Sequence, residues 1–382
     1  MQAIILAGGS GTRLHPPTTK VPKSLLPIFD KPLLEHTVRM LAESGINDII
    51  ITLSPESQKL IDYLGEGLTW GVKIRYFVEY KPLGTGGCLK HLKPLLDESF
   101  FIIPGDIITN INITDAIQTH KKKSSCLTIL TQKTDDPANH SIFETNTNGL
   151  ITKFAKKPSS NNIFSNIVST GIVILDKQLI FLLPEKEVFD YDIELIPKLI
   201  DNNYPIYAEN VDGYFKDIGS LIDYRNCHFD ALTGKIDLYI QAAKISDGVW
   251  IGEGISIHDS VALSAPIFLG NRTCVKKGAH IGPNVVIAQD SMVEEDAKIE
   301  YSILGHKCQV GSKSVIKGCV LGCECSVTDS AIIRDCIEVM PELYEQPGTF
   351  VSAQDAIEKI IKGFPEESID IKASIPKIKS SG

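Results

Sequence analysis

Hydrophobic residues over the first 235 positions follow two patterns that alternate along the chain. Short unbroken apolar runs are typical of strands buried on both faces of a sheet. Between these runs, apolar residues recur on one helical face; the first such helix is predicted to open at Pro32 and close at Gly45. We predict strands at Gln2–Ala7, Asp48–Leu53, Val72–Val78 and Phe100–Ile103. The alternation predicts an α/β domain over residues 1–235, with a mostly parallel sheet covered by helices on both faces.

A different pattern begins near Lys244, where an aliphatic residue recurs at every sixth position. This period resembles that of hexapeptide-repeat proteins, which implies a left-handed parallel β-helix with three hexads per coil. We predict the β-helix over residues 244–340 and a C-terminal helix and tail over residues 341–382. The period loosens after Glu300. The periodic residues are Ile245, Ile251, Ile257, Leu263, Leu269, Val275, Ile281, Ile287, Val293 and Ile299.

Composition and charge narrow the functional classes. The chain has 382 residues, a net charge of −9 and no basic block beyond Lys121–Lys123, so nucleic acid is not expected as a partner. No apolar run reaches the length of a membrane span, and the first residues enter a strand without a signal-peptide pattern. We therefore expect a cytoplasmic protein with no membrane partner. The nine cysteines fit no zinc spacing and are expected to be small buried thiols.

The first candidate chemistry is a glycine-rich loop that follows the first strand. Gly8, Gly9 and Gly11 leave backbone N–H groups open at close range, which suits phosphate oxygens. Arg13 and Lys23 add fixed positive charge, so the segment is predicted to hold a polyphosphate. The loop lacks the third glycine of a dinucleotide fingerprint and the Gly-Lys-Ser/Thr of a Walker A loop.

These residues resemble the opening signature of the sugar-1-phosphate nucleotidylyltransferases: Gly-Gly-x-Gly-Thr-Arg-Leu, then Pro-Lys, then Lys-Pro at Lys31-Pro32. The segment Pro82–Gly87 resembles the family's second glycine loop, which contacts the nucleobase; a tight turn at a helix N-terminus is a compatible second interpretation. The resemblance implies a Rossmann-like mixed sheet. It also implies nucleotide contacts at Leu6, Ala7, Gly8, Gly9, Gly11, Thr12, Gly84, Thr85 and Gly86.

Two aspartates resemble the metal ligands of the same family. Asp106 stands in its Gly-Asp motif and Asp217 in its Asp-Ile/Val-Gly-Thr motif, here ending in Ser220. The resemblance implies that both bind Mg²⁺, and that together with Arg13 and Lys23 they form the catalytic set. Mg²⁺ commonly uses one or two carboxylates plus phosphate oxygens, which suits this pair.

The sugar side departs from the family pattern. Lys157 matches the lysine of Phe-x-Glu-Lys-Pro, which contacts the sugar phosphate, but Lys156 replaces the glutamate. Ser169-Thr170-Gly171 stands where Asn-Ala-Gly is common. Because a lysine cannot accept a hydrogen bond, the identity of the sugar stays open. Asp192 is one candidate for the lost acceptor, and a solvated helix acid is an equal interpretation. The sugar-phosphate set is Gly105, Lys156, Lys157, Thr170 and Asp192.

The resemblance implies an enzyme that joins a nucleoside triphosphate (NTP) and a sugar 1-phosphate, releasing pyrophosphate. Mannose-1-phosphate guanylyltransferases are the most similar members, which favours GTP and mannose 1-phosphate. UTP or dTTP with glucose 1-phosphate is the alternative, as is a non-catalytic regulatory paralogue. A further alternative adds acyltransferase activity with a histidine of the β-helix, His258, His280 or His306, as base. We also expect a homo-oligomer assembled through the β-helix.

Overall fold

The computed structural model describes residues 1–9, 22–336 and 350–351. The chain divides into two compact units, Met1–Gln241 and Ala242–Gly382. The fold class predicted from the sequence, a mixed α/β sheet followed by a parallel β-helix, is confirmed. Of the predicted C-terminal helix and tail over residues 341–382, only Phe350–Val351 lie within the described residues.

The first unit is built on a nine-stranded mixed sheet. Its centre is parallel, because β1 pairs with both β4 and β6 in the same direction, and β4 pairs with β5. Strand β11 runs antiparallel to β6 and joins the remaining strands. The strands of this unit are β1 Gln2–Ala7, β2 Pro27–Ile28, β3 Lys31–Pro32, β4 Asp48–Leu53, β5 Lys73–Val78, β6 Ser99–Pro104, β7 Ile107–Thr109, β8 Leu127–Lys133, β9 Ser141–Thr145, β10 Ile151–Lys156, β11 Ile167–Asp176, β12 Ile206–Asn210 and β13 Phe215–Asp217.

Helices cover both faces of this sheet, as the apolar pattern predicts. Two hydrophobic clusters lie on its two sides, one containing Ile4 and Leu89 and the other Ile5 and Leu41. Alternate residues of β1 therefore point into different cores, which is why the strand is apolar throughout. The α-helices among the described residues are α1 Leu33–Glu43, α2 Gln58–Leu64, α3 Gly84–Leu92, α4 Ile113–Lys122, α5 Tyr191–Asp201 and α6 Leu221–Leu232.

The second unit is a parallel β-helix of three sheets. Equivalent strands in its first coils lie 18 residues apart, because Leu263 pairs with Ile281 and Ile281 pairs with Ile299. The first sheet contains Val249–Ile251, Ile267–Leu269, Val285–Ile287, Ile303–Leu304 and Val320–Leu321. The second contains Ser256–Ile257, Cys274–Val275, Met292–Val293, Gln309–Val310 and Ser326–Val327. The third contains Ala262–Leu263, His280–Ile281, Lys298–Glu300, Val315–Lys317, Ile332–Arg334 and Phe350–Val351.

The first of the ten periodic residues does not belong to the β-helix core. Ile245 lies on Ala243–Ser246, a strand that pairs antiparallel with Val249–Ile251, and its side chain is 60% exposed. The predicted start of the repeat was therefore one hexad too early. The coils begin at Val249, and the aliphatic residue at 245 matches the period without pointing inward.

The loosened period after Glu300 has a simple geometric cause. Later coils are 17 residues long, because Ile299 pairs with Ile316 and Ile316 with Ile333. The missing residue falls at one corner, between the third sheet and the next strand of the first sheet. The inward residues Leu304, Val310 and Ile316 still join the same buried core.

Most turns of the β-helix place one residue in the left-handed backbone region. Most of these positions carry a residue other than glycine, although such residues rarely adopt a positive φ. Among the described residues they are Arg272, Asn284, Asp290, Asp296, Tyr301, Lys307, Lys313, Glu324, Ser330 and Asp335, with φ between 49° and 63°.

The cysteines are thiols, and most are buried, as predicted. Four of them stack in pairs at the corners of the β-helix: Cys308 lies under Cys325, and Cys319 under Cys336. Burial raises the pKa of Cys319 to about 12, which keeps its thiol protonated. No helix among the described residues is long and apolar enough to cross a membrane.

Candidate active site

The two predicted metal aspartates come together through a pair of short strands. Asp106 stands directly before β7 and Asp217 ends β13, and these two strands pair antiparallel. The backbone N–H of Ile218 donates to the carbonyl of Asp106 at 2.9 Å. Residues that are more than a hundred positions apart in sequence thus place their carboxylates at one edge of the sheet.

Lys23 lies between these carboxylates. Its Nζ is 2.7 Å from Asp106 Oδ2 and 3.7 Å from Asp217 Oδ1. The lysine side chain is 11% exposed, whereas the aspartates are 39% and 49% exposed. The ammonium is therefore largely buried, whereas both carboxylates remain partly exposed to solvent. Three of the four residues in the predicted catalytic set, Lys23, Asp106 and Asp217, therefore lie close together.

A divalent cation fits this carboxylate pair. Both carboxylates offer oxygen donors, and a single positive charge lies within 4 Å of each of them. Within residues 1–9, 22–336 and 350–351, no cluster of three potential metal ligands exists. Two carboxylates completed by phosphate oxygens and water are typical of Mg²⁺ sites at phosphates, so the residues fit the predicted metal.

The first glycine loop begins where the phosphate site was predicted. Leu6, Ala7, Gly8 and Gly9 lie at the carboxyl end of β1, beside Gly105. A Cβ on Gly105 would come within 2.7 Å of the Ala7 side chain, so this close approach requires glycine. Gly11, Thr12 and Arg13 lie outside the described residues, and their predicted roles stay predictions.

A buried carboxylate that the sequence analysis missed lies against this loop. Glu79 follows β5 and is 9% exposed. Its Oε1 is 2.9 Å from the position that a Cβ on Gly8 would take, and its Oε2 accepts from the backbone N–H of Leu83 at 3.1 Å. The available signal was its position: an acidic residue at a strand end, three residues before Pro82.

The second glycine loop forms the N-terminus of α3, which is the second interpretation offered above. Gly84 adopts φ +73°, and a Cβ on Gly84 or Gly86 would collide with Phe189. The Gly86 N–H donates to the Phe189 carbonyl at 2.9 Å. The lack of a side chain at these glycines therefore leaves room for the segment 187–191 to pack against the start of α3. The nucleobase contact of Gly84, Thr85 and Gly86 stays a prediction.

A cleft of about 230 Å³ is lined by Asp106 and Asp217 and by all of the predicted sugar-phosphate residues except Gly105. Lys157 is among them and has φ +43°, an uncommon conformation for a residue with a side chain. Its backbone N–H donates to the His140 carbonyl at 3.1 Å. The predicted contact of Lys157 with the sugar phosphate stays a prediction.

Lys156 pairs with two acidic residues, of which Asp192 also lines the cleft. Its Nζ is 3.1 Å from Asp190 Oδ2 and 3.0 Å from Asp192 Oδ1. Burial disfavours the charged ammonium, but Asp192 and Asp190 outweigh this effect and raise the pKa of Lys156. Asp192 is thus an ion-paired carboxylate that lines the cleft, and its predicted contact with a sugar hydroxyl stays a prediction.

Thr170 lines the cleft but is 2% exposed, and its hydroxyl donates to the Leu130 carbonyl at 2.9 Å. It stabilises an irregularity where β11 leaves its register with β8. Gly171 completes this bend with φ +77°. The predicted contact of Thr170 with the sugar phosphate stays a prediction.

Comparison with known protein families identifies the family of this chain. Residues 2–234 match the profile described as Nucleotidyl transferase. The chain belongs to the nucleotidyl transferase family. Residues 263–354 match a second profile, described as GMPPB C-terminal domain. The predicted resemblance to sugar-1-phosphate nucleotidylyltransferases, and to mannose-1-phosphate guanylyltransferases among them, is confirmed.

The alignments with curated relatives span most of this chain and most of each relative. A UTP–glucose-1-phosphate uridylyltransferase from Synechocystis is 30% identical over 337 residues, or 82% of this chain and 87% of the relative. A mannose-1-phosphate guanyltransferase from Candida albicans is 27% identical over 329 residues, or 83% of this chain and 90% of the relative.

Two of the solved structures that are similar to this protein each align with 60% of this chain. One is a putative glucose-1-phosphate thymidylyltransferase from Bacillus anthracis, with 26% identity, a TM-score of 0.55 and 95% of that chain covered. HddC from Yersinia pseudotuberculosis, complexed with GMP-PN, has 26% identity, a TM-score of 0.52 and 98% of that chain covered.

The family sets the reaction class of this protein. It is a sugar-1-phosphate nucleotidylyltransferase, which transfers a nucleoside monophosphate from an NTP to a sugar 1-phosphate. The prediction of an enzyme over a non-catalytic paralogue is confirmed. Members of this family generally use a divalent metal ion.

Proposed function

We propose that this enzyme converts GTP and mannose 1-phosphate into GDP-mannose and pyrophosphate, with Mg²⁺ as its metal ion. The observation that carries the choice of base is the carboxylate of Glu79 beside the first glycine loop. Guanine presents two adjacent donors, N1–H and the N2 amino group, and a carboxylate offers two acceptors. Uracil and thymine present a single N–H between two carbonyl oxygens, which a carboxylate repels.

The relatives support the choice of sugar. Several are named mannose-1-phosphate guanyltransferases, and the profile of the second unit carries the GMPPB description. On the sugar side, we propose that Asp192, held by Lys156, accepts a hydrogen bond from a sugar hydroxyl. It would replace the acceptor that is lost with lysine at position 156.

The chain's own residues act by positioning and charge neutralisation. A phosphate oxygen of the sugar 1-phosphate attacks the α-phosphorus of the NTP, and pyrophosphate leaves. The attacking phosphate is already ionised at neutral pH, since its second pKa is about 6, so no general base is required. Lys23 and Lys157 supply positive charge at the cleft, and Arg13 is proposed to stabilise the leaving pyrophosphate.

Asp106 and Asp217 would hold the divalent cation at the reacting phosphates. When bound, that ion neutralises phosphate charge that would otherwise repel the attacking oxygen. Lys23 orients both carboxylates, because its ammonium lies within ion-pair distance of each.

A substrate panel tests the proposal. Purified enzyme is supplied with GTP, UTP, dTTP, ATP or CTP against mannose 1-phosphate and glucose 1-phosphate, and pyrophosphate release is measured with Mg²⁺. We expect the highest kcat/KM for GTP with mannose 1-phosphate. Glu79→Gln should lower the GTP/UTP ratio of kcat/KM by about tenfold or more, and Glu66→Gln, an exposed glutamate, should leave it unchanged.

A second candidate is UTP or dTTP with glucose 1-phosphate. The Synechocystis relative, named for UTP and glucose 1-phosphate, favours it. A panel in which UTP exceeds GTP, with a ratio that does not respond to Glu79→Gln, would select this candidate and remove the argument from Glu79.

We also propose a homo-oligomer in which residues between 245 and 345 of the β-helix contribute contacts. A solenoid has end coils and lateral faces that repeat contacts alone do not cover. Light scattering of the full chain at micromolar concentration tests this proposal, and a monomer would contradict it. The buried thiols are consistent with a reducing compartment, and we propose the cytoplasm.

A further inference from the structure

The glycine loop of the nucleotide side and the cleft wall of the sugar side share one carboxylate. Asp190 Oδ1 accepts from the backbone N–H and from the hydroxyl of Thr85, both at 3.2 Å. Its Oδ2 lies 3.1 Å from Nζ of Lys156. Lys156 in turn holds Asp192 at 3.0 Å. A continuous polar chain, which we name the Asp190 relay, therefore runs Thr85–Asp190–Lys156–Asp192.

The side chain of Asp190 is placed unusually for its position. Asp190 stands at the N-cap of α5, yet it makes no side-chain cap to that helix. It instead serves the first turn of α3, whose N-cap residue, Leu83, also offers no side-chain cap. A carboxylate at a helix N-terminus is favourable, so Asp190 stabilises the start of α3 from a neighbouring element.

The segment that carries Asp190 is tightly held on α3. Gly86 N–H donates to the Phe189 carbonyl, and Phe189 N–H donates to the Leu83 carbonyl at 3.1 Å. Lys90 Nζ donates to the Pro184 carbonyl at 2.8 Å. Because the α3 backbone at Gly84 and Gly86 packs so closely on Phe189 that a Cβ at either position would collide with it, we expect the loop and the segment to shift together.

The ionisation of Asp190 depends on its partners in the relay. Partial burial disfavours the charged form of Asp190, but the Thr85 N–H and Lys156 outweigh this and lower the pKa of Asp190. Asp190 and Lys156 are therefore both ionised at neutral pH. Loss of the central carboxylate leaves Lys156 with Asp192 alone, and Thr85 without its acceptor.

We propose that Asp190 is a positioning residue that couples the two substrate sites, so that nucleotide bound against the second glycine loop increases the affinity for sugar 1-phosphate. The reason is that nucleotide fixes Thr85, Thr85 fixes Asp190, and Asp190 fixes Lys156. The sugar phosphate then meets a side chain that is already ordered. By linkage, sugar 1-phosphate increases the affinity for nucleotide by the same factor. This inference rests on the proposed function for the choice of ligands, and on the predicted contact between Thr85 and the nucleotide.

Titration calorimetry tests the coupling. The dissociation constant of mannose 1-phosphate is measured with Mg²⁺, alone and with saturating α,β-methylene GTP, in which the transferable bond is blocked. We expect the analogue to tighten binding by about fivefold or more in the native protein. Asp190→Asn should reduce this factor to below about twofold. A native factor near one, or an Asp190→Asn factor equal to the native one, would overturn the proposal.

Two further variants separate coupling from general damage. Glu187→Gln removes a carboxylate from the same segment, but one that pairs with exposed Lys81 at 2.8 Å, and should keep the native factor. Lys156→Met breaks the relay from the sugar end and should also abolish the factor, even if Asp190→Asn does not fold. Full coupling in folded Lys156→Met would contradict the relay.

The choice of ligands is checked separately. If the uridine analogue binds where the guanosine analogue does not, the proposed base is wrong. The same titration then uses α,β-methylene UTP and glucose 1-phosphate, and the proposal about Asp190 stands or falls on the same ratio.

Discussion

The two units of this chain are specified differently by the sequence: one by a repeated pattern, and the other by residues that each occur once. The β-helix repeats one small rule, an inward aliphatic residue in each strand, and every coil is stabilised by its neighbours. The active site uses residues that occur once each, such as Lys23, Asp106 and Asp217, brought together from distant parts of the chain. A repeat spreads its energy over many equivalent positions, whereas a site concentrates its effect in a few. Single substitutions should therefore affect activity in one unit and stability in the other.

The largest expected effect is on turnover at the aspartates. Asp106→Ala or Asp217→Ala removes one of two carboxylates that serve the cation and Lys23, so kcat should fall by about 10³-fold or more while the fold is kept. Pyrophosphate release and circular dichroism measure the two properties. Asp212→Ala, an exposed acid near β13, is the control. Near-native kcat in either site variant would contradict the metal assignment.

The β-helix offers the opposite case. Ile299→Ala empties a buried position in the core and should lower the free energy of unfolding by about 2–5 kcal/mol, without loss of the catalytic residues. Ile245→Ala removes the same atoms from a 60% exposed side chain and should change it by less than about 0.5 kcal/mol. Urea denaturation compares them; equal losses would place Ile245 in the core after all.

Arg13→Lys sharpens the comparison at the active site. The lysine keeps the charge but loses the planar group that can donate two parallel hydrogen bonds. We expect kcat to fall by about 10²-fold, equivalent to about 3 kcal/mol, with a smaller change in KM. Steady-state kinetics in both substrates provides the measurement. Unchanged kcat with a raised KM for NTP would make Arg13 a ground-state binding residue.

Acid should lower the free energy of unfolding of the first unit, because a buried histidine resists protonation in the folded state. His228 accepts from the Phe29 N–H at 3.0 Å, and burial lowers its pKa to about 4. The unfolded chain binds a proton at about pH 6.5, so stability from this group is complete above that pH and is lost between about 6.5 and 4. The loss is about 3 kcal/mol. Thermal melts should show less pH dependence in His228→Gln, while His280→Gln, exposed on the β-helix, should match the native slope.

Local patterns predicted the elements well and the site only in part. Asp48–Leu53 is a strand at the predicted bounds because burial on both faces leaves a continuous apolar run. Lys23, Asp106 and Asp217 were found through motifs, yet nothing local indicates that the lysine lies between the aspartates. Glu79 and Asp190 were missed, because each acquires its role from a partner in another element.

The β-helix shows the same limit in another form. A six-residue period is visible in sequence, but the shortening to 17-residue coils hides it after Glu300. The left-handed turn residues include Arg272, Tyr301 and Lys307, which local propensity does not assign to that backbone region. There the stacked coils fix the backbone, and the side chain adapts to it.

The shortened corner also indicates how this solenoid can change in length. Removal of one residue between the third and first sheets leaves Ile299 above Ile316 and Leu304 above Leu321, so each strand keeps its inward face. A deletion inside a strand would instead turn every following side chain over. We therefore expect this corner to tolerate changes in length better than the strands do, which makes it a suitable place for grafting a foreign loop onto the protein.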